Sequence, residues 1–270
     1  MEHVTVGALR VAYRSQGAGR PLLLLHGGIC DSRVFGPQLD DLSDEFQVIA
    51  WDAPGCGGSS DPPEWFRLPD YADVLAAFVD ALEIDRPHVL GHSWGSGLCL
   101  QLAQQHPSVS ASLILAGGYA GWAGSLPPDE VDQRLRRALD LADSLPDGFD
   151  PTAVPGLFSD AMPPARRAEL IEIMSEIRPA GTRVMAHAFA EADLRESLGA
   201  IGVPTLLLHG ADDLRSPLDV ADDLHRGIPG SELVVMPGLG HEAFTESPDA
   251  FNTQVRAFLT RVDGHRPDPD

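Results

Sequence analysis

The chain has 270 residues, three cysteines and a formal net charge of −21 at pH 7. That length suits one domain carrying an insertion, with chain to spare for a large core. The charge repels nucleic-acid phosphates and anionic lipid surfaces, so the composition argues against a nucleic-acid or membrane-surface partner.

No apolar run approaches the length of a membrane span, and Met1 to Leu9 lacks a basic start leading into an apolar segment. The expected location is the cytoplasm. Cys30, Cys56 and Cys99 lack the spacing of a disulfide framework or a zinc site and read as reduced thiols, with Cys30 near the candidate site described below. No ligand cluster for a metal or an organic cofactor stands out, and nothing indicates the oligomeric state.

In chain order, Val4 to Val6 and Leu9 to Tyr13 alternate as two short strands around Gly7-Ala8, predicting an antiparallel edge hairpin. Leu22 to Leu25 is a continuous apolar run, the pattern of a strand buried on both faces of a mainly parallel sheet, and it ends in His26-Gly27-Gly28. Val48 to Trp51 is the next buried strand, followed by the glycine-rich loop Asp52 to Ser59. From Tyr71, the positions Val74, Leu75, Phe78, Val79 and Leu82 repeat at helical spacing, with Asp70 as the expected N-cap. That helix returns the chain to Val89 and Leu90, completing a βαβ unit.

The next five residues are Gly91-His92-Ser93-Trp94-Gly95, a G-x-S-x-G pattern between a buried strand and the helical positions Leu98, Cys99, Leu102 and Ala103. Strand and helix can meet in so sharp a turn only if both flanking residues are glycine. The turn strains the serine backbone and holds its hydroxyl clear of the sheet, at a helix N-terminus that favours developing negative charge.

Leu113 to Ala116 is another strand. From Tyr119 to Leu198 the character changes to helical patterns such as Leu170, Ile171, Met174 and Ile177, several prolines, and no buried-strand run. Thr205 to Leu208 resumes the sheet and ends in His209-Gly210-Ala211-Asp212-Asp213, where two adjacent aspartates present themselves. Leu233 to Val235 is the last strand, and the loop Met236 to Gly240 leads to His241, with Gly238 and Gly240 giving it freedom to turn. Ser247-Pro248 opens a final helix with Phe251, Val255, Phe258, Leu259 and Val262 on its apolar face. The chain from Asp263 is polar and proline-bearing, and residues 266–270 read as a disordered tail.

These motifs together resemble the α/β-hydrolase family, and the similarity covers nearly the whole chain. The resemblance implies an α/β fold: a mostly parallel twisted sheet with helices on both faces, formed by 1–118 and 199–265, and a helical cap inserted at 119–198. It implies that Asp52 to Ser59 is the structural D-x-x-G-x-G-x-S turn beneath the site and that His26 braces its loop. In such hydrolases the loop after the Leu22 to Leu25 strand supplies one oxyanion-hole N–H. Gly28 is assigned that role, with Ile29 as the alternative, and Trp94 the second N–H. The family pattern G-x-x-D-x-x-x-P is met by Gly210, Asp213 and Pro217, which selects Asp213 over Asp212. The order Ser93, Asp213, His241 is then the nucleophile, acid, base order of this fold. A cap closes over the site, which puts Ile29, Trp122, Phe158, Met162, Met185 and Phe189 forward as substrate-binding residues.

Serine at 93 separates the chain from aspartate-nucleophile relatives that perform alkyl transfer. The expected activity is hydrolysis of a small carboxylic ester through an acyl-enzyme. Two alternatives stand beside it. One is an amide or carbon–carbon hydrolase, such as an enzyme similar to proline iminopeptidases, in which Glu172, Glu176 or Glu191 would hold a substrate ammonium. The other is a non-catalytic binding protein that keeps the fold as a ligand pocket.

Overall fold

The computed structural model describes residues 1–144 and 149–264. Eight strands form one sheet in the order β1-β2-β4-β3-β5-β6-β7-β8. They are β1 (Glu2–Val6), β2 (Leu9–Gln16), β3 (Arg20–Leu25), β4 (Phe46–Trp51), β5 (His88–His92), β6 (Ser112–Ala116), β7 (Thr205–Gly210) and β8 (Glu232–Met236). The hairpin β1–β2 is antiparallel and joins β4 antiparallel, while every pairing from β4 to β8 is parallel. Several strands begin one or two residues before their apolar runs, at Arg20 and Phe46 for example. Ladder hydrogen bonds come from the backbone and do not need an apolar side chain.

The central strands are apolar on both faces because both faces are covered. Leu23, Ile49 and Val89 point into a core shared with α2 (Leu68–Ala81) and α3 (Trp94–Gln105). Leu22, Val48 and Leu90 point into a second core with α1 (Gly36–Leu42) and α9 (Pro248–Gly264). Alternation along each strand thus serves two layers rather than core and solvent.

Two local expectations are corrected, and three helices join those expected. Helix α2 starts at Leu68, with Pro69 in its first turn. Asp70 is therefore not the N-cap; it sits in the first turn and accepts a hydrogen bond from the Arg67 N–H at 2.7 Å. The chain at Asp263 is not a tail: α9 runs on to Gly264, and the Asp263 carboxylate pairs with Arg20 at 3.5 Å. The expected disordered stretch 266–270 lies outside the described residues. Finally, α1, α7 (Leu218–Gly227) and the short α8 (Ala243–Glu246) escaped the sequence reading.

Between β6 and β7 the chain leaves the sheet for α4 (Pro128–Ser144), α5 (Pro164–Ser175) and α6 (Pro179–Ala190), with short 3-10 turns and no strand among the described residues. Ile177 lies beyond the end of α5 yet remains buried. Specific bonds tie this segment to the core. Arg178 donates to Asp61 and to the Gly57 and Ser59 carbonyls, and Arg33 bridges Asp31 and Glu176.

Candidate active site

Ser93 sits between β5 and α3 with φ +52° and ψ −112°, a backbone conformation that costs a non-glycine residue energy. Its own N–H donates to the Ala116 carbonyl at 2.9 Å, which anchors the turn to β6. The flanking glycines are required by contact. A Cβ at Gly91 would fall 2.2 Å from the Gly95 carbonyl oxygen, and one at Gly95 would fall 2.3 Å from the Leu25 oxygen.

Asp213 follows β7 and is buried, whereas Asp212 is exposed. The Asp213 Oδ1 accepts N–H bonds from Arg215 and Ser216, each at 2.8 Å, and Oδ2 accepts from Nδ1 of His241 at 2.8 Å. Burial alone would raise its pKa, but the His241 imidazole and the Ser216 N–H outweigh it and bring the carboxyl down to about 2. With Nδ1 engaged, His241 keeps Nε2 as its free basic nitrogen. The ring lies over the end of β6, where a Cβ on Gly117 would meet it at 3.1 Å.

The loops around these groups are fixed by buried side chains. His26 donates from Nδ1 to the Gly27 carbonyl at 2.7 Å and accepts from the Ala53 N–H at Nε2, 3.0 Å. Asp52 accepts from the N–H groups of Ser32 and Gly58 and so joins the loops after β3 and β4. His209 donates to the Ser216 carbonyl at 2.6 Å, holding the acid loop. Glu246 accepts from the Gly240 N–H at 2.6 Å and holds the loop before His241.

Ser93 and His241 open onto one cavity of about 210 Å³, whose wall also includes Gly28, Ile29, Trp94, Trp122, Met185 and Phe189. Gly28 and Trp94 are neighbours there: a Cβ on Gly28 would lie 3.7 Å from the Trp94 Cβ. The indole Nε1 of Trp94 donates to the Met185 carbonyl at 3.2 Å, so α6 is tied to the start of α3. Phe158 and Met162 are not on this wall. The Arg167 guanidinium lies 5.2 Å from the Phe158 ring centroid, and Met162 is packed in the core against Thr245. Glu172, Glu176 and Glu191 are absent from the wall as well, and the last two pair with Arg33 and Arg67.

Several wall and bracing residues carried no usable signal in the sequence. Arg134 of α4 is buried, donating to Glu130, to the Tyr119 hydroxyl at 3.0 Å and to the Arg215 carbonyl at 2.8 Å. A Glu130–Arg134 pair four residues apart looks like an ordinary solvated helix face. Glu242 is buried on the cavity wall, its Oε2 without a hydrogen-bond partner, and burial together with nearby Glu246 and Asp213 pushes its pKa up to about 8. Among the described residues no set of three or more His, Cys, Asp or Glu side chains is grouped to hold a metal ion, and no helix is long and apolar enough to cross a membrane.

Comparison with known proteins agrees with this architecture. A family model described as alpha/beta hydrolase fold matches residues 20–155, and one described as TAP-like protein matches residues 181–270. The chain is 29% identical to the AB hydrolase superfamily protein YisY of Bacillus subtilis, over 95% of this chain and 96% of that one. It is 30% identical to a Pantoea ananatis protein named "Putative carbamate hydrolase RutD", over 93% of this chain and 92% of that one. Among solved structures, a thermophilic esterase from Thermogutta terrifontis superposes with a TM-score of 0.82 at 26% identity, covering 97% of this chain and 98% of that one.

Proposed function

The chain belongs to the α/β-hydrolase fold family, and on that footing we propose that it is a serine hydrolase cleaving a small carboxylic ester or related acyl bond. The observation that carries this reading is the 2.8 Å bond between His241 Nδ1 and Asp213 Oδ2, on a ring that shares one cavity with the strained Ser93. The helical segment 119–198 is read as a cap that closes the site from water and sets substrate choice.

In this mechanism the Ser93 Oγ attacks the substrate carbonyl carbon while its proton passes to His241 Nε2. Asp213 holds the imidazole in the tautomer that leaves Nε2 free and stabilises the cation that forms. The carbonyl π electrons become an oxyanion, which accepts hydrogen bonds from the N–H groups of Gly28 and Trp94; one such donor contributes about 3 to 4 kcal/mol to lowering the barrier. The tetrahedral intermediate expels the alcohol, which takes the proton from His241. Water, deprotonated by the same nitrogen, then cleaves the acyl-enzyme and restores Ser93.

The test is an acyl-chain-length series of 4-nitrophenyl esters on the wild type and Ser93→Ala, with intact-mass detection of an acyl adduct. The expected result is a Ser93-dependent adduct and a rate lost in the variant. Equal rates in the two proteins would overturn the reading.

A further inference from the structure

Arg215 lies two residues beyond Asp213 and lines the cavity shared by Ser93 and His241. In a chain with 40 carboxylates and 19 arginine or lysine side chains, cations find acids readily, as Arg33, Arg67, Arg178 and Arg256 do. Arg215 has not. Among the described residues no carboxylate forms an ion pair with it, and its one side-chain hydrogen bond runs from Nη1 to the Pro155 carbonyl at 3.4 Å. Arg137, the more exposed cation on the same wall, is also without an acid partner among those residues.

The acids near that wall form no ion pair with Arg215 or Arg137 among the described residues, although the charges of Asp213 and Glu242 act on the Arg215 guanidinium. Glu130 is committed to Arg134, at 2.5 Å. Glu242 is in a site where burial favours the protonated carboxyl, and Asp213 is bonded to His241 behind the wall. A chain that is strongly anionic overall therefore keeps two guanidinium groups on one cavity wall, Arg215 and Arg137, that form no ion pair with any described residue. A guanidinium offers parallel N–H donors in the geometry of a carboxylate, and one left unpaired against a neutral ligand forgoes charge-assisted bonds that an anion would make.

We propose that the substrate carries a carboxylate of its own, held by Arg215 and drawn in by Arg137, with its scissile acyl group directed to Ser93. This rests on the hydrolase reading above and names the substrate class for the same site. It also accounts for how an anionic substrate can enter a protein of like charge: the local field of the cavity, not the net charge, governs binding.

The test compares the monomethyl and dimethyl esters of succinate, glutarate and adipate, followed by methanol release, and the binding of glutarate to Ser93→Ala by calorimetry. For at least one chain length the monomethyl ester is expected to be preferred by tenfold or more in kcat/KM. Arg215→Met should cut that preference by about 10- to 100-fold, chiefly through KM, and Arg215→Lys should keep part of it. Ser93→Ala should bind glutarate, and adding Arg215→Met should abolish that binding. A preference near one at every length in the wild type, or one that Arg215→Met leaves untouched, would overturn the proposal without touching the hydrolase reading. Glutarate binding that depends on Arg215, in a protein that cleaves no ester, would sustain the carboxylate site and remove the hydrolase. Should Arg215→Met fail to fold, the wild-type ester preference and the Arg215→Lys variant still decide the matter.

Discussion

His92 donates from Nε2 to the main-chain carbonyl of His241 at 3.1 Å, linking the residue before Ser93 to one 149 positions later. The two imidazoles also pack with centroids 4.9 Å apart. Burial first, and the neighbouring His241 second, drive the His92 pKa well below the usual histidine value, so this ring is neutral and acts as a fixed donor. It positions the proposed base through the backbone and touches no reacting atom.

Replacing His92 with Phe keeps the ring and removes the donor, leaving the His241 carbonyl unpaired in a buried place. The expected outcome is a fall of about 10- to 100-fold in kcat with KM little changed. His92→Gln, whose amide can reach the same carbonyl, should recover part of the loss. Steady-state kinetics on the two variants decides it; a Phe variant as active as the wild type would mean that packing alone places His241.

Asp213→Asn should lower kcat by about 10⁴-fold, because an amide cannot hold the imidazole in the same tautomer or stabilise its cation. Asp212→Asn should stay near the wild type, since that side chain is exposed. The reverse ranking in the ester assay would show that the wrong carboxylate has been assigned.

Arg134 couples α4 to the acid loop through the Arg215 carbonyl and the Tyr119 hydroxyl. Arg134→Met removes charge-assisted bonds at a buried site, and a loss of about tenfold or more in kcat is expected. Hydrogen exchange at the amides of Arg215 and Ser216 should quicken in parallel. Unchanged exchange there, whatever the kinetics, would separate α4 from the loop.

Glu242 makes stability depend on pH. Its carboxyl is raised from the ordinary 4.5 to about 8, mainly by burial, so the fold favours the protonated form. The stability this group contributes is complete below the unfolded pKa and is lost as pH climbs through about 8. Glu242→Gln, which cannot ionise, should therefore gain in Tm relative to the wild type between pH 6 and pH 9. Asp213 works in the opposite sense, its contribution being lost only as pH falls through about 2. Thermal melts of wild type and Glu242→Gln that run parallel across that range would contradict the Glu242 assignment.

The sheet was legible in the sequence because its central strands are buried on both faces, so runs such as Leu22 to Leu25 and Thr205 to Leu208 stand out without any knowledge of their neighbours. The turn at Ser93 was legible for a local reason too: two glycines are needed where strand and helix nearly touch, and the Gly91 and Gly95 contacts bear that out. The short α8 and the true start of α2 were not legible, because caps and single turns depend on bonds such as Arg67 N–H to Asp70 rather than on periodicity.

What the tertiary structure alone decided was which side chains share the cavity. Phe158 and Met162 are apolar like Met185 and Phe189, yet only the second pair faces the cavity, since α6 packs over α3 through the Trp94 indole. Nothing in the sequence marks Arg134, Arg215 or Glu242. The burial of Arg134 and Glu242, and the lack of an ion-pair partner for half-buried Arg215 among the described residues, arise from segments far apart in the chain packing together, and no local pattern encodes that.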